Sequence, residues 1–209
     1  MAAAAVGAAV LGTLAATTLL RAPDDAMSAC RGGQVAGGDI GGPFTLVDEN
    51  GATVSEADVF VAPTIVYFGY TFCPDVCPMD SQRNAFALEV LEDRGIIANA
   101  AFITIDPARD TVDVVREFTD NFHPRMIGLT GTQDQIDVAV RAWRVLAQKD
   151  DSGDPDFYLM NHSTLSYLAM PDIGFVEYFN NDATPEEMAD TVACFVEAAS
   201  RFDAAGASD

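Results

Sequence analysis

Residues 62–70, APTIVYFGY, form a continuous apolar run that is rich in β-branched and aromatic side chains. Such a run is typical of a central strand that is covered on both faces. It leads directly into residues 71–78, TFCPDVCP, and a helical pattern then continues to about Arg94 and stops at Gly95. The stretch therefore predicts a buried strand that passes through a cysteine-bearing turn into a helix.

Strands and helices alternate along the rest of the chain. The expected elements are a hairpin that begins at 44–47 and turns at 48–51, strands at 100–105 and 125–129, helices at 110–122 and 132–146, strands at 158–170 and 175–179, and a helix from Thr184 to about Phe202. The order ββαβαβαββα predicts an α/β fold with a central mixed sheet, mostly parallel, whose last hairpin adds antiparallel strands. In such a sheet reactive groups lie where a central strand ends and its helix begins.

Length, composition and charge narrow the class of protein. The chain has 209 residues, 49% of them hydrophobic, and a formal net charge of −21. This length provides one ordinary domain plus a tail, and the apolar fraction excludes a disordered acidic polymer. The negative charge repels phosphate backbones, so we expect no nucleic-acid partner. Because the acidic residues are spread along the chain, a solvated surface is favoured over a docking surface for a basic partner.

The first 21 residues are predicted to be an N-terminal membrane anchor or a signal. Residues 1–20 carry no charged side chain, and twenty apolar residues in a helix cover about 30 Å, the thickness of a bilayer core. An uncleaved transmembrane helix is favoured over a cleaved signal peptide, and a buried soluble helix is the third alternative. Residues 22–43 are expected to be a Gly-rich tether, 44–203 the folded domain and 204–209 a disordered tail.

Cys73 and Cys77 are the residues that most clearly indicate a functional site. On the first turn of a helix, positions i and i+4 project from one face, and the free N–H groups of that turn stabilise a thiolate. Two thiolates within reach can close a disulfide or bind a soft metal. The C-x-x-x-C spacing differs from the C-x-x-C of common redox motifs, which favours a metal.

A third ligand must come from elsewhere in the chain. The sequence contains two histidines, His123 and His162. His123 precedes a proline in a helix-exit loop and is interpreted as structural, whereas the pattern leaves His162 equally open to a structural or a ligand role. Two thiolates plus one imidazole would suit Cu(I), which accepts soft donors and low coordination, while Zn(II) would require a fourth ligand.

Two aspartates lie near the expected position of the cysteines. Asp75 lies between the two cysteines, so its carboxylate either modifies the properties of the cysteine pair or caps the helix, and the capping role is favoured. Asp106 follows the second buried strand, so it either approaches Cys73 from the adjacent strand end or serves as a turn residue before Pro107.

Cys30 and Cys194 are the remaining cysteines. Both membrane interpretations place the rest of the chain outside the cytoplasm. Thiols oxidise in such compartments. We therefore expect a disulfide between Cys30 and Cys194 that ties the tether to the domain. The alternative is two unrelated thiols.

Several segments together resemble the Sco/SenC family over residues 41–196. They are GGPFTL (41–46), YFGYTFCPDVCP (67–78), FITIDPARDT (102–111), GLTG (128–131) and NHS (161–163). The resemblance implies a thioredoxin-like fold that is anchored by one N-terminal transmembrane helix. It also implies that Cys73, Cys77 and His162 are copper ligands, for Cu(I) and also for Cu(II). Asp75 and Asp106 are expected next to these ligands because of their positions in the sequence.

The same resemblance implies a function. It favours a metallochaperone over an enzyme, and the chaperone would assist assembly of the binuclear CuA site in subunit II of cytochrome c oxidase. The alternatives are a thiol–disulfide oxidoreductase that keeps the CuA cysteines reduced, and a redox or copper sensor. Implied partners are subunit II, an upstream copper donor or thiol reductant, and the membrane. The implied location is the bacterial inner membrane with the domain in the periplasm, or alternatively the mitochondrial inner membrane.

Overall fold

A computed structural model describes residues 27–32, 40–150, 152 and 157–206, the last five by their backbone alone. The chain divides into two compact units, one of residues 33–193 and one of residues 1–32 with 194–209. The predicted anchor and most of the predicted tether lie outside the described residues. Within the described ranges, no helix combines the length and apolar character needed to cross a bilayer.

The described residues form nine strands. They are β1 Thr45–Asp48, β2 Thr53–Ser55, β3 Thr64–Gly69, β4 Asn99–Thr104, β5 Met126–Thr130, β6 Ala147–Lys149, β7 Met160–His162, β8 Ser166–Met170 and β9 Gly174–Phe179. Seven of them make one sheet in the order β2-β1-β5-β4-β3-β8-β9, and β6 pairs with β7 in a second sheet. The predicted mixed sheet is confirmed, but the expectation that it is mostly parallel is wrong. Strand β4 pairs in parallel with β3 and β5, whereas the other four pairings in the large sheet are antiparallel.

Five helices connect or follow these strands: α1 Glu56–Val59, α2 Val76–Asp93, α3 Val112–Thr119, α4 Gln133–Ala142 and α5 Pro185–Gly206. Local sequence explains several of their ends. Helix α4 begins with a capping box, in which Thr132 and Gln135 exchange side-chain-to-backbone hydrogen bonds. Gly95 follows the end of α2 with φ +75°, a left-handed conformation that glycine adopts at little cost. Since α5 continues to Gly206, residues 204–206 of the predicted tail are helical.

Strand β3 lies inside the large sheet, between β4 and β8, and all six of its residues are buried. Its Ile65–Phe68 segment pairs in parallel with 100–103 of β4 and is covered by buried aromatic side chains. Buried apolar surface of this kind contributes about 25 cal/mol per Å² to folding. The packed strand therefore fixes the position of the cysteine turn that follows its carboxyl end.

Two of the expected elements differ in the structure. The predicted strand 158–170 is two strands, β7 and β8, which belong to different sheets and are separated by residues 163–165. The predicted helix 132–146 ends at Ala142, because Trp143 is its C-cap and Arg144 has φ +56°. The chain then forms β6, which pairs with β7.

The smaller unit contains a covalent crosslink. A short 3-10 turn spans Ser28–Cys30, and Cys30 forms a disulfide with Cys194 in α5, with a Cα–Cα distance of 5.6 Å. The bond joins residues that are 164 positions apart in the sequence. The other two cysteines, Cys73 and Cys77, are free thiols.

Candidate metal centre

The two free cysteines lie at the junction of β3 and α2. The amide of Cys73 donates to the carbonyl of Tyr70 at 3.3 Å, which closes the turn after the strand. Cys77 occupies the first turn of α2, and its amide donates to Cys73 Sγ at 3.5 Å. A helix N-terminal N–H is thus directed at sulfur, where it stabilises negative charge on a thiolate.

Asp75 occupies the N-cap position of α2, but the predicted capping hydrogen bond is wrong. Its side chain is exposed and accepts no capping hydrogen bond within the described part of the chain. The backbone at Asp75, with φ −139° and ψ −89°, departs from the usual N-cap conformation. The sulfur of Cys73 receives a helix amide instead.

His162 is the last residue of β7 and pairs with Ala147 of β6. Its ring Nδ1 lies 2.8 Å from the Ser163 carbonyl, which can only accept, so Nδ1 carries the proton. The lone pair of Nε2 is therefore free, and Nε2 lies 3.4 Å from Cys77 Sγ. A hydrogen bond from the second ring nitrogen is the usual way in which proteins orient a metal-binding histidine.

One ligand atom from each of Cys73, Cys77 and His162 lies within 4.8 Å of the others. Cys77 is fully buried, Cys73 is 9% exposed, and the histidine is half-buried. Burial lowers the pKa of His162, which keeps its imidazole neutral and able to bind a metal. Burial raises the pKa of the Cys77 thiol, so metal binding must displace a proton from it.

Aromatic side chains enclose the histidine. The rings of Tyr67 and Tyr70 contact the His162 ring edge-to-face, with centroid distances of 6.2 and 5.8 Å. Gly69 leaves room for the sulfur, because a Cβ at this position would lie 3.0 Å from Cys77 Sγ and 2.9 Å from the Tyr67 ring. The pocket is therefore shaped around one nitrogen and two sulfurs.

Comparisons with known proteins show which family the chain resembles. Residues 33–197 match the family model described as SCO1/SenC. The chain belongs to the SCO1/SenC family.

Relatives and solved structures of the SCO1/SenC family agree with the match. The chain is 50% identical to protein SenC of Rhodobacter capsulatus over 199 residues, which cover 95% of this chain and 90% of that protein. Copper-bound ScoI of Arabidopsis thaliana superimposes with a TM-score of 0.70 at 36% identity, covering 76% of this chain and 98% of the other. Copper-bound ScoI of Bradyrhizobium japonicum superimposes with a TM-score of 0.67 at 39% identity, covering 75% of this chain and 99% of the other. Curated relatives include bacterial and mitochondrial proteins.

A buried ion pair that was not predicted from the sequence lies beside the SCO1/SenC site. Asp80 and Arg83 are paired at 2.9 Å, and their side chains are only 7% and 10% exposed. Burial raises the pKa of Asp80, while Arg83 and the nearby His162 oppose that rise. Asp80 lies three positions after Cys77 and so on the same helix face, which is the signal that could have identified it.

Asp106 was expected near Cys73, and the structure shows which groups its carboxylate contacts. One oxygen accepts from Arg109 Nε at 2.5 Å, and the other accepts from the Tyr158 hydroxyl at 2.8 Å. Asp106 is buried and belongs to the loop after β4. Neither Arg109 nor Tyr158 was singled out by the sequence analysis.

His123 lies apart from the three-residue cluster. It is buried, its Nδ1 accepts from the Arg125 amide at 3.1 Å, and its Nε2 lies 3.8 Å from a Glu92 carboxylate. These contacts join a loop to α2 and agree with the structural role expected for His123.

Proposed function

We propose that this protein is a copper metallochaperone that binds copper through Cys73, Cys77 and His162. The observation that carries the proposal is the convergence of two sulfurs and one neutral imidazole nitrogen within 4.8 Å. The copper-bound structures of its relatives support copper as the metal. By family resemblance, the acceptor is the CuA site in subunit II of cytochrome c oxidase.

The chemistry of the donor set favours copper over zinc. In the part of the chain that the structure describes, the cluster has three members, and zinc in a structural site takes four. Thiolates select Cu(I), which accepts low coordination, and the imidazole nitrogen also suits Cu(II). The amide of Cys77 directed at Cys73 Sγ would further stabilise the charge of a bound thiolate.

Delivery requires that an acceptor reach the metal. Cys73 is 9% exposed whereas Cys77 is fully buried, so an incoming thiolate would replace Cys73 first. Each exchange substitutes one sulfur ligand for another, and no covalent bond within the chaperone is broken. The protein would therefore transfer copper without acting as an enzyme.

Copper binding by the purified protein tests the ligand set. We expect wild type to bind one Cu(I) per chain, and His162→Ala, Cys73→Ser and Cys77→Ser each to lose at least tenfold in affinity in an anaerobic competition titration. His123→Ala is the matched control, because it removes the other histidine of the chain, which lies outside the three-residue cluster. Wild-type affinity of His162→Ala for both Cu(I) and Cu(II) would contradict the three-ligand site.

Oxidase assembly in cells tests delivery. A strain that carries Cys73→Ser should assemble too little CuA-containing oxidase, and added copper should restore assembly. Restoration would support delivery from an upstream copper donor. Failure of added copper to restore assembly would instead favour thiol reduction.

A thiol–disulfide oxidoreductase is the second candidate. It is favoured by the proximity of two free thiols, of which Cys73 is the more exposed. In that reaction the Cys73 thiolate attacks a partner disulfide and forms a mixed disulfide, and Cys77 then displaces the reduced partner. Cys77→Ser should therefore accumulate a mixed disulfide with subunit II, and its absence would count against this function.

We also propose that the folded domain lies outside the cytoplasm, in the periplasm of a bacterium and attached to the inner membrane, with the mitochondrial inner membrane as the alternative. The Cys30–Cys194 disulfide supports an oxidising compartment, where such bonds persist. Thiol labelling of the protein directly from cells, with and without reductant, checks this. Labelling of Cys30 and Cys194 without reductant would contradict it.

A further inference from the structure

We infer that Arg109 is a positioning residue that holds His162 against the two cysteines. The inference rests on the proposed function, since it concerns the geometry of the same three ligands. Arg109 lies in the loop after β4, and its side chain is 21% exposed. It contacts both the segment that carries the cysteines and the segment that leads to the histidine.

The first set of contacts is with the cysteine loop, defined here as residues 70–75. The guanidinium carbon of Arg109 lies 4.7 Å from the centroid of the Phe72 ring and 5.8 Å from that of the Tyr70 ring. Phe72 directly precedes Cys73. Cation–π attraction acts out to about 6 Å from a ring centroid, so both rings are within its range.

The second set of contacts is with Tyr158, which precedes His162 by four residues. The guanidinium carbon lies 3.6 Å from the centroid of the Tyr158 ring, and Nη1 donates to the Tyr158 carbonyl at 2.9 Å. Asp106 completes the arrangement, because its carboxylate accepts from both Arg109 and the Tyr158 hydroxyl. Arg109 therefore binds the ring, the backbone and, through Asp106, the hydroxyl of one tyrosine.

The histidine needs such a contact because it lies outside the main sheet. Strands β6 and β7, called here the histidine sheet, have three residues each and pair only with each other within the described residues. Two-stranded sheets of this length are marginal on their own in water. Besides the Arg109 contacts made through Tyr158, the histidine sheet is held by Ala147 and Met160, which pack against the hydrophobic core, and by the Tyr67 and Tyr70 rings against His162.

The consequence for copper depends on which ligands are used. Cys77 is held in the first turn of α2, and Cys73 is held by the hydrogen bond of its amide to Tyr70 and by the Cys77 amide that donates to its sulfur, whereas the position of His162 depends on the histidine sheet. Loss of the Arg109 contacts should therefore weaken the contribution of the imidazole and leave the two sulfurs in place. Binding that requires nitrogen, as for Cu(II), should suffer more than binding of Cu(I) by two thiolates.

The test compares Arg109→Met with Arg116→Met in the full chain, with Cys73 and Cys77 reduced. Arg116 is a matched control, because it also pairs with an aspartate three residues earlier, Asp113, and donates to one backbone carbonyl, that of Glu49. Arg109→Lys is the second variant, for the case in which the methionine variant does not fold. It keeps the positive charge but loses the planar donor group.

Hydrogen exchange of the metal-free protein is the first measurement. The amides of Asp150 and Ser163 report on the histidine sheet, because they donate to Leu159 and Leu146, and the amide of Ile105 reports on the main sheet. We expect exchange at Asp150 and Ser163 to accelerate at least tenfold in the Arg109 variants, with Ile105 unchanged. Equal acceleration at all three amides, or none at any, would overturn the inference.

Copper affinity in two backgrounds is the second measurement. Arg109→Met should lower the Cu(II) affinity about tenfold, which corresponds to about 1.4 kcal/mol, and should have no further effect when His162 is already alanine. An equal loss in the His162→Ala background would show that Arg109 acts elsewhere. If His162→Ala itself left copper binding unchanged, the proposed ligand set would fail, while hydrogen exchange would still decide the role of Arg109.

Discussion

Replacement of Gly69 by alanine offers a direct test of how tightly the metal pocket is packed. The new Cβ would lie 2.9 Å from Tyr67 Cε1, 3.0 Å from Cys77 Sγ and 3.0 Å from Phe102 Cε2. Carbon atoms in contact prefer about 3.5–4.0 Å, so three neighbours must each yield by about 0.5–1 Å. Overpacking of a well-packed core costs about 1–3 kcal/mol.

Both stability and copper binding should respond to Gly69→Ala. For a chain of this size, 1 kcal/mol corresponds to about 2–4 °C, so the Tm of the metal-free protein should fall by about 2–12 °C in a thermal melt. Because metal sites tolerate only about 0.2 Å of error in ligand distance, displacement of Cys77 Sγ should also lower the Cu(I) affinity, by about 10–100-fold.

Gly128→Ala is the matched control for this prediction. A Cβ there would lie 2.8 Å from both the Cβ and the carbonyl oxygen of Val115, which are outside the three-ligand cluster. This variant should lose at least as much stability and keep the wild-type copper affinity. If Gly69→Ala kept both its Tm and its affinity, or if Gly128→Ala lost copper to the same extent, the packing argument would be refuted.

Three further predictions follow from the protonation of the ligands and from the disulfide. Because burial raises the pKa of Cys77, copper must displace its proton, and the apparent Cu(I) affinity should rise at least about tenfold per pH unit in titrations between about pH 6 and 8; an affinity that is flat with pH would contradict this. Burial lowers the pKa of His162 from 6.5, so below about pH 6.5 the unfolded chain binds a proton on this imidazole that the folded chain does not bind. The free energy of unfolding of the metal-free protein, measured with urea, should therefore fall as the pH drops. It should fall less in His162→Ala. Replacement of both Cys30 and Cys194 by serine should lower the unfolding free energy by about 2–5 kcal/mol, because the crosslink spans 164 positions. The copper affinity should stay at its wild-type value. A loss of copper binding would show that the crosslink also determines the geometry of the site.

The main sheet was predictable because its strands have strong local patterns. The apolar run at 62–70 and the hairpin turn at 48–51 each specify an element without reference to the rest of the chain. In the histidine sheet, β7 falls inside the predicted strand 158–170, but β6 and its pairing with β7 were not predictable in this way. Its strands have three residues each, which is too short for a periodic pattern to be recognised, and each strand mixes half-buried and exposed side chains. Their position is determined by pairing across the chain, which a local pattern does not record.

The candidate site shows the same division between local and long-range information. The spacing of Cys73 and Cys77 and their place at a helix start follow from the local sequence. The pattern around His162 fits a structural histidine equally well, because its distance from Cys77 is set by contacts 85 positions apart. Arg109 and Tyr158 were missed for the same reason, since 49 positions separate them.

The separation of the two cysteine pairs has a consequence for biosynthesis. Cys73 and Cys77 are four positions apart, whereas Cys30 and Cys194 are 164 apart. In an unfolded chain, closure of the longer loop is less favourable by about 3 kcal/mol, so an oxidant encounters the neighbouring thiols in contact far more often. In the oxidising compartment proposed above, oxidative folding would therefore close the short pair early. Copper binding by both thiols would then require a reductant that reopens this bond and spares the long-range crosslink.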